Sequence, residues 1–184
     1  MKILLINGSP RSDGNCNDAL DIIEKEVLKH EKEAIITKLS LGDKVLLGCS
    51  QCDDCKTNGG NCTKDDDTCD IINKIYMADM VIISSPVYWW NVTGQLKTLI
   101  DKFYSKEDEF NEITKIIGYL TIGSADQDDD QYHFIKKQLQ YFADGFDWDI
   151  AFNRSYTADA KGDLLKNKDV IEDIIGVVKR TFTK

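Results

Sequence analysis

Short runs of apolar residues alternate along this chain with segments of helical periodicity, and this alternation constrains the fold more than any other feature. Residues 3–6 are continuously apolar, which is typical of a parallel strand covered on both faces. Further strands are predicted at 33–39, 80–84, 116–122 and 148–153. Helices are predicted at 17–30, 94–104, 132–142 and 170–181, with another that begins at residue 67 or 68. The pattern predicts an α/β fold built on a parallel sheet.

Five strands joined by right-handed helical crossovers favour the strand order 2-1-3-4-5, with helices on both faces, in a single domain that spans residues 1–184. In such sheets a ligand binds at the carboxyl edge, where the strand order reverses between the first and third strands. The two prolines of the chain, Pro10 and Pro86, fall in the loops after those strands. We therefore expect the functional site at these two loops.

Charge and hydropathy exclude several classes of protein. The formal net charge is −9, which argues against nucleic acid as a partner because phosphate binding needs a basic patch. There is no run of about 20 apolar residues, so no transmembrane helix and no membrane partner are expected. The N-terminal residues also lack the pattern of a signal peptide. We predict a cytoplasmic protein whose six cysteines are reduced thiols or ligands.

The loop after the first strand, residues 8–17, has the composition of an anion site. It is rich in glycine and small polar side chains, and it leads into a helix N-terminus, where free N–H groups and the helix dipole favour negative charge. It lacks both the Gly-x-Gly-x-x-Gly pattern and the Gly-Lys-Ser/Thr ending of other nucleotide loops. An ordinary strand-to-helix turn is the alternative. The candidate phosphate donors are Ser9, Ser12, Asn15 and Asn17, with Arg11 supplying charge.

The loop after the third strand contains three consecutive aromatic residues, Tyr88, Trp89 and Trp90. Their side chains point in different directions, so we expect some of them to face a cleft. A flat, amphipathic heterocycle would find apolar contacts beside them and backbone N–H donors for its polar edge. The alternative is that Trp89 or Trp90 packs in the core or between subunits, because aromatic residues are enriched at interfaces.

Together the two loops resemble those of the NAD(P)H-dependent FMN reductases of the flavodoxin-like superfamily. The matching segments are 8–15, 85–97 and 49–67, the last of them in particular at 62–66, and the resemblance covers roughly residues 1–125. It implies an FMN phosphate near the first loop and an isoalloxazine ring and ribityl chain near the second. The residues that the resemblance places around FMN are Ser9, Arg11, Asn15, Cys16, Asn17, Pro86, Val87, Tyr88, Trp89, Asn91, Gly123 and Ser124.

Two positions depart from the pattern of these reductases. The group usually has threonine where this chain has Cys16, so one hydroxyl donor to the phosphate is missing. Its members often have two glycines after the fourth strand, where this chain has Gly123 and Ser124. Contacts to FMN at both positions are therefore expected to differ from those of the group.

Four cysteines lie in a polar, loop-like segment at about 48–67. Cys49, Cys52 and Cys55 follow at three-residue spacing, and six residues separate Cys55 from Cys62. This arrangement resembles ferredoxin-type ligation, and it is similar to that of the iron–sulfur flavoproteins of the same superfamily, which carry a 4Fe-4S cluster beside FMN. Zinc and free thiols are the alternatives. Because the segment follows the second strand, we expect it at the carboxyl edge, on the FMN side. Cys69 is expected to serve packing.

The resemblance implies an oxidoreductase in which NADH or NADPH delivers hydride to FMN, and reduced FMN passes electrons to a quinone, a flavin or a similar acceptor. This chemistry requires no side-chain acid or base, so no catalytic residue is predicted. The alternative is an iron–sulfur flavoprotein that carries electrons between protein partners, for which an acidic surface is suited. A cofactor-free protein that keeps only the fold is a third interpretation. A homodimer or homotetramer is expected.

Overall fold

The predicted sheet is present in the computed structural model, which describes residues 1–183. Numbered along the chain, the five strands lie in the order 2-1-3-4-5, and every neighbouring pair is parallel. The predicted flavodoxin-like α/β fold is thereby confirmed. The strands are β1 (Lys2–Asn7), β2 (Ile35–Ser40), β3 (Met80–Pro86), β4 (Ile116–Gly123) and β5 (Asp149–Thr157).

Helices follow each of the strands. Short 3₁₀ segments lie at 41–43, 102–106 and 164–166. No helix within residues 1–183 is long and apolar enough to cross a membrane. Two short helices, at 54–57 and 107–111, were not predicted from the sequence. The α-helices are α1 (Asn15–His30), α2 (Asp54–Thr57), α3 (Thr68–Met77), α4 (Gly94–Asp101), α5 (Glu107–Asn111), α6 (Asp130–Gly145) and α7 (Lys168–Phe182).

The sheet is covered on both faces because successive residues of a strand point to opposite sides. On one face, Leu4 and Ile6 of β1 belong to a core that includes α3, α4 and α6. On the other face, Ile3 and Leu5 belong to a core that includes α1 and α7. These two packed layers leave the loops at the carboxyl edge to form a site.

β5 extends beyond its predicted end. The prediction ended too early because the second half of the strand is polar. The predicted strand ends at Asn153, whereas the observed one continues to Thr157 and pairs with β4 as far as Gly123. The ring of Phe152 lies so close to Gly118 that a Cβ atom there would come within 2.5 Å of it. This extension carries β5 to the carboxyl edge, where the following segment reaches the site.

The helix predicted at 94–104 changes geometry before its end. α4 is α-helical to Asp101 and then continues as a 3₁₀ turn over Lys102–Lys106. Lys102 and Phe103 are neighbours in the chain, and both are buried. The ring of Phe103 packs in an aromatic cluster with Phe110, Phe142, Phe146 and Trp148. The cluster fixes the turn, and with it the position of Lys102.

Candidate functional site

A cleft of about 210 Å³ opens at the carboxyl edge, between the loops that follow β1 and β3. Most of the residues predicted to surround FMN line it, together with residues that follow β5. Three of the predicted residues, Asn17, Trp89 and Asn91, do not line it. The lining residues are Ser9, Arg11, Gly14, Asn15, Cys16, Pro86, Val87, Tyr88, Ile122, Gly123, Ser124, Ala158, Asp159 and Lys161.

The loop between β1 and α1 is held in shape by its own side chains. The Asn7 side chain accepts from the Ser9 N–H and donates to the Arg11 carbonyl, both at 3.0 Å. The Ser9 hydroxyl oxygen accepts from the Arg11 N–H, also at 3.0 Å. Gly14 precedes α1 and provides no side-chain cap. The first turn of α1 therefore offers backbone N–H groups to an anion, as the sequence predicted.

Asn15 joins α1 to the segment that follows β5. Its amide donates to the Ala160 carbonyl at 3.0 Å, and its oxygen accepts from the Leu164 N–H at 3.2 Å. Lys161, in the same segment, forms an ion pair with Asp13 and lines the cleft. The Lys161 ammonium lowers the pKa of the Asp13 carboxyl through their hydrogen bond. The segment after β5 thus forms one side of the cleft.

The cleft carries positive side chains and a neutral thiol near the N-terminus of α1. Arg11 and Lys161 supply the positive charge. Cys16 is buried, and burial raises the pKa of its thiol to about 12. The thiol is therefore uncharged at neutral pH and does not repel an anion. Asn17 points its amide along α1 instead, and donates to the Asp21 carboxylate at 3.0 Å.

The three aromatic residues form the tip of a tight turn. The Tyr88 N–H donates to the Asn91 carbonyl at 2.8 Å, and the Asn91 N–H donates to the Tyr88 carbonyl at 3.1 Å. Trp89 and Trp90 have left-handed backbones, with φ values of 47° and 59°, a conformation that costs about 1–2 kcal/mol per residue. Trp89 is 88% exposed and Trp90 is 58% exposed. The alternative that one of them packs in the core is therefore wrong; packing between subunits stays a prediction.

Thr93 ties the aromatic turn to the loop after β1. Its buried hydroxyl donates to the Gly8 carbonyl at 2.6 Å. The same oxygen accepts from the Leu96 N–H at 3.2 Å and so caps α4. One side chain therefore fixes the relative position of the two loops that form the cleft.

Comparison with known proteins agrees with this geometry. Residues 1–137 match the family model described as NADPH-dependent FMN reductase. The chain belongs to the NADPH-dependent FMN reductase family. The matched residues run from β1 into α6 and include both loops of the cleft, whereas the segment that carries Lys161 lies beyond them.

Curated relatives of this FMN reductase family member include iron–sulfur flavoproteins. One from Methanocaldococcus jannaschii is 36% identical over 129 residues, which cover 68% of this chain and 63% of the relative. Another, from Methanosarcina thermophila, is 34% identical over 126 residues, which cover 68% of this chain and 64% of the relative. The chain spans about half to two thirds of the length of the curated relatives it matches.

A solved structure shares the fold at low sequence identity. An FMN-dependent NADH-azoreductase from Bacillus anthracis, in complex with FMN, has a TM-score of 0.67 and 15% identity to this chain. The match covers 100% of this chain and 98% of the azoreductase. It shows that the flavodoxin-like architecture extends over the whole chain, including the part outside the FMN reductase family match.

The cysteine segment forms a second cavity, of about 20 Å³. Cys49, Cys52, Cys55 and Cys62 all line it, with residues from the end of α4. Cys55 is buried, Cys62 is half-buried, and Cys49 and Cys52 are exposed. No set of three or more His, Cys, Asp or Glu side chains in residues 1–183 is arranged to hold a metal ion. Four thiols that line one cavity are the donor set that iron–sulfur clusters use, and residues 47–54, which carry Cys49 and Cys52, are all exposed.

The cysteine cavity and the cleft lie at opposite ends of α4. The cleft reaches Tyr88, in the turn that precedes α4, whereas the cysteine cavity is lined by Asp101 and Lys102 at the end of α4. The eight residues of α4 rise about 12 Å, and the two cavities share no lining residue in the described part of the chain. The expectation that the cysteine segment lies on the FMN side of the sheet is therefore not met within one subunit.

Several residues that line the cleft or hold its loops in place were not predicted from the sequence. Asn7 and Thr93 are the kinds of residue that favour turns and helix caps, and their positions at the end of β1 and before α4 were the available signal. Asp159 and Lys161 gave no signal, because they belong to no motif and reach the cleft only through the extension of β5.

Proposed function

We propose that this chain is an FMN-dependent oxidoreductase that takes electrons from NADH or NADPH and passes them to a second acceptor, such as a quinone or a flavin. The cleft carries this proposal. It combines an uncapped helix N-terminus, the cationic Arg11 and the apolar side chains of Val87 and Tyr88 at one sheet edge. Membership of the NADPH-dependent FMN reductase family supports both FMN and the nicotinamide.

The proposal assigns a part of FMN to each side of the cleft. Ser9, Arg11 and the first-turn N–H groups of α1 would bind the phosphate. Val87 and Tyr88 would contact the ring, with Gly123 and Ser124 near it. Bound FMN supplies hydride acceptance and electron release, so the chain contributes binding, orientation and shielding from water. For this reason the proposed reaction needs no acid or base among the side chains of the predicted site.

The flavin itself is the first test. Extraction from purified protein should release FMN and not FAD, because the chain has one anion loop and no dinucleotide fingerprint. Chromatography of the released flavin measures this, and recovery of FAD alone after reconstitution with both flavins would refute the assignment. Steady-state oxidation of NADH and NADPH, with a quinone or a free flavin as acceptor, then tests the reaction.

Arg11→Ala should weaken FMN binding by about 1.5–3 kcal/mol, the scale of a hydrogen bond to a charged group, which corresponds to roughly ten- to a hundredfold in Kd. Asn15→Ala should weaken it by roughly 1–3 kcal/mol, because the contacts that hold the segment after β5 are lost. Fluorescence titration of the apoprotein with FMN measures both. Arg180→Ala is the matched control, since Arg180 pairs with Asp173 outside the cleft. Unchanged affinity in both cleft variants would show that the loop is only a turn.

A second candidate function is an iron–sulfur flavoprotein that carries electrons between protein partners. The observation that favours it is the shared cavity of the four cysteines, and the curated relatives named above carry that description. A carrier would oxidise NADH or NADPH only when a partner reductase is added, so the same steady-state assay distinguishes the two functions. In either case we propose a cytoplasmic homodimer or homotetramer, with Trp89 and Trp90 at a subunit contact and neither nucleic acid nor membrane as a partner.

A further inference from the structure

The end of α4 places a buried lysine against one of the four cysteines. The Lys102 ammonium donates to Cys62 Sγ at 3.0 Å. Its side chain is 2% exposed, which is unusual because lysine is almost never fully buried unless it is paired. Lys64 also lines the cysteine cavity but is half-buried. Lys102 is thus the lysine that is buried against a sulfur.

A buried carboxylate accounts for only part of the environment of Lys102. Asp66 Oδ2 lies 3.7 Å from the ammonium, beyond hydrogen-bond distance, and the Asp66 side chain is 0% exposed. Asp66 is already satisfied by other donors, since it accepts from the Leu47 N–H at 2.8 Å and from the N–H and hydroxyl of Thr68. Although burial raises the pKa of Asp66, these hydrogen bonds bring it below its ordinary value. The ammonium therefore directs its short hydrogen bond to the sulfur and not to the carboxylate.

We propose that Lys102 is a positioning residue for the cysteine site, which holds the Cys62 sulfur in the cavity and raises the reduction potential of an iron–sulfur cluster bound there. This role rests on the proposed cluster. Reduction by one electron adds one negative charge to a cluster, so a fixed cation beside it stabilises the reduced form more than the oxidised form. Hydrogen bonds to ligand sulfur act in the same direction, and both effects are strongest where water is excluded.

The surrounding acidic side chains act on the potential in the opposite direction to this cation. Asp53, Asp54 and Asp65 belong to the same segment and are exposed, and acidic groups favour the oxidised form of a cluster. Solvent screens exposed charges more than buried ones. A buried ammonium in contact with a ligand sulfur therefore acts on the cluster more strongly than these exposed carboxylates. The buried Asp66 carboxylate opposes it in part, but the ammonium lies closer to the Cys62 sulfur, at 3.0 Å, than to Asp66, at 3.7 Å.

Lys102→Met tests the role of the ammonium, because methionine keeps an unbranched chain that fits a buried channel and removes the charge and the N–H donors. After anaerobic reconstitution with FMN, iron and sulfide, this variant should show a lower midpoint potential for its cluster than the wild type. It should also lose iron to a chelator several-fold faster than the wild type. Potentiometric titration followed by electron paramagnetic resonance measures the first effect, and absorbance of the iron–chelator complex measures the second. Lys102→Arg keeps a cation and N–H donors and should restore the potential in part.

Lys56→Met is the matched control for loss of a lysine near the cysteines. Lys56 lies in the same segment, but its ammonium faces the Tyr104 ring at 4.3 Å and Glu107 at 3.5 Å. The proposal would be overturned if the midpoint potential of the cluster in Lys102→Met is not lower than in Lys56→Met. If Lys102→Met does not fold, as judged by its FMN content, Lys102→Gln takes its place. Glutamine retains a neutral N–H donor, so the midpoint potential of the cluster should decrease by less. A potential equal to that of the wild type would again overturn the proposal. A wild-type protein that binds FMN but takes up neither iron nor sulfide would overturn the cluster itself and this role with it.

Discussion

Gly123→Ala should destabilise the protein by about 1–3 kcal/mol, the usual cost of overpacking, and should weaken FMN binding tenfold or more. A Cβ atom at this position would lie 2.8 Å from the Tyr132 hydroxyl and 3.2 Å from Val87. Tyr132 is fully buried and its hydroxyl donates to the Ala125 carbonyl at 3.1 Å, so it cannot move away without losing contacts. Alanine would therefore displace the Tyr132 hydroxyl at a cost in contacts and would also press on Val87, which belongs to the apolar wall of the cleft.

Gly145→Ala is the control for this substitution. Gly145 ends α6, and a Cβ atom there would meet nothing within 4 Å. Alanine is favoured over glycine in helices by about 0.5–1 kcal/mol, so this variant should be neutral or more stable. Urea unfolding and FMN titration of both variants measure the two effects. A Gly123→Ala protein with wild-type stability and affinity would show that glycine is not required for the close approach of β4 to the loop after β3.

The fold was predictable because its signals are local. A continuous apolar run predicts β1, and amphipathic periodicity predicts α1 and α7. The right-handedness of the crossovers between parallel strands then restricts the order of the strands. The end of β5 was not predictable in this way. Its polar residues Arg154 and Ser155 pair with β4, so tertiary contacts override the local pattern.

The site was predictable as far as motifs define it. Ser9, Arg11 and Val87 belong to two loops whose composition predicts a shared site, and all three line the cleft. The structure adds what motifs do not contain, namely long-range contacts such as that of Asn15 with Ala160. A buried lysine beside Cys62 was equally invisible, because 40 residues separate the two positions in sequence.

Cys49, Cys52, Cys55 and Cys62 should behave as one unit in iron binding. After anaerobic expression and purification, the wild type should contain about four irons per chain with equivalent acid-labile sulfide, as a 4Fe-4S cluster requires. Alanine at any one of the four positions should remove most of the iron, because each sulfur lines the same cavity and loss of one ligand opens the cluster to solvent. Iron and sulfide analysis measures this directly.

Cys69→Ala is the control that separates ligation from general loss of a thiol. Cys69 lies in α3, where its sulfur contacts the Asn61 side-chain oxygen at 3.3 Å, and it does not line the cysteine cavity. This variant should keep its iron. All five variants should keep FMN, since the cleft and the cysteine cavity have no lining residue in common within residues 1–183. FMN without iron in the anaerobic wild type would refute the cluster, and zinc in place of iron would assign the four thiols to a structural site. If Cys69→Ala loses as much iron as the four ligand variants, iron content reports folding of the segment and not ligation. The reason is that Cys69 lies outside the cavity that the four ligands share.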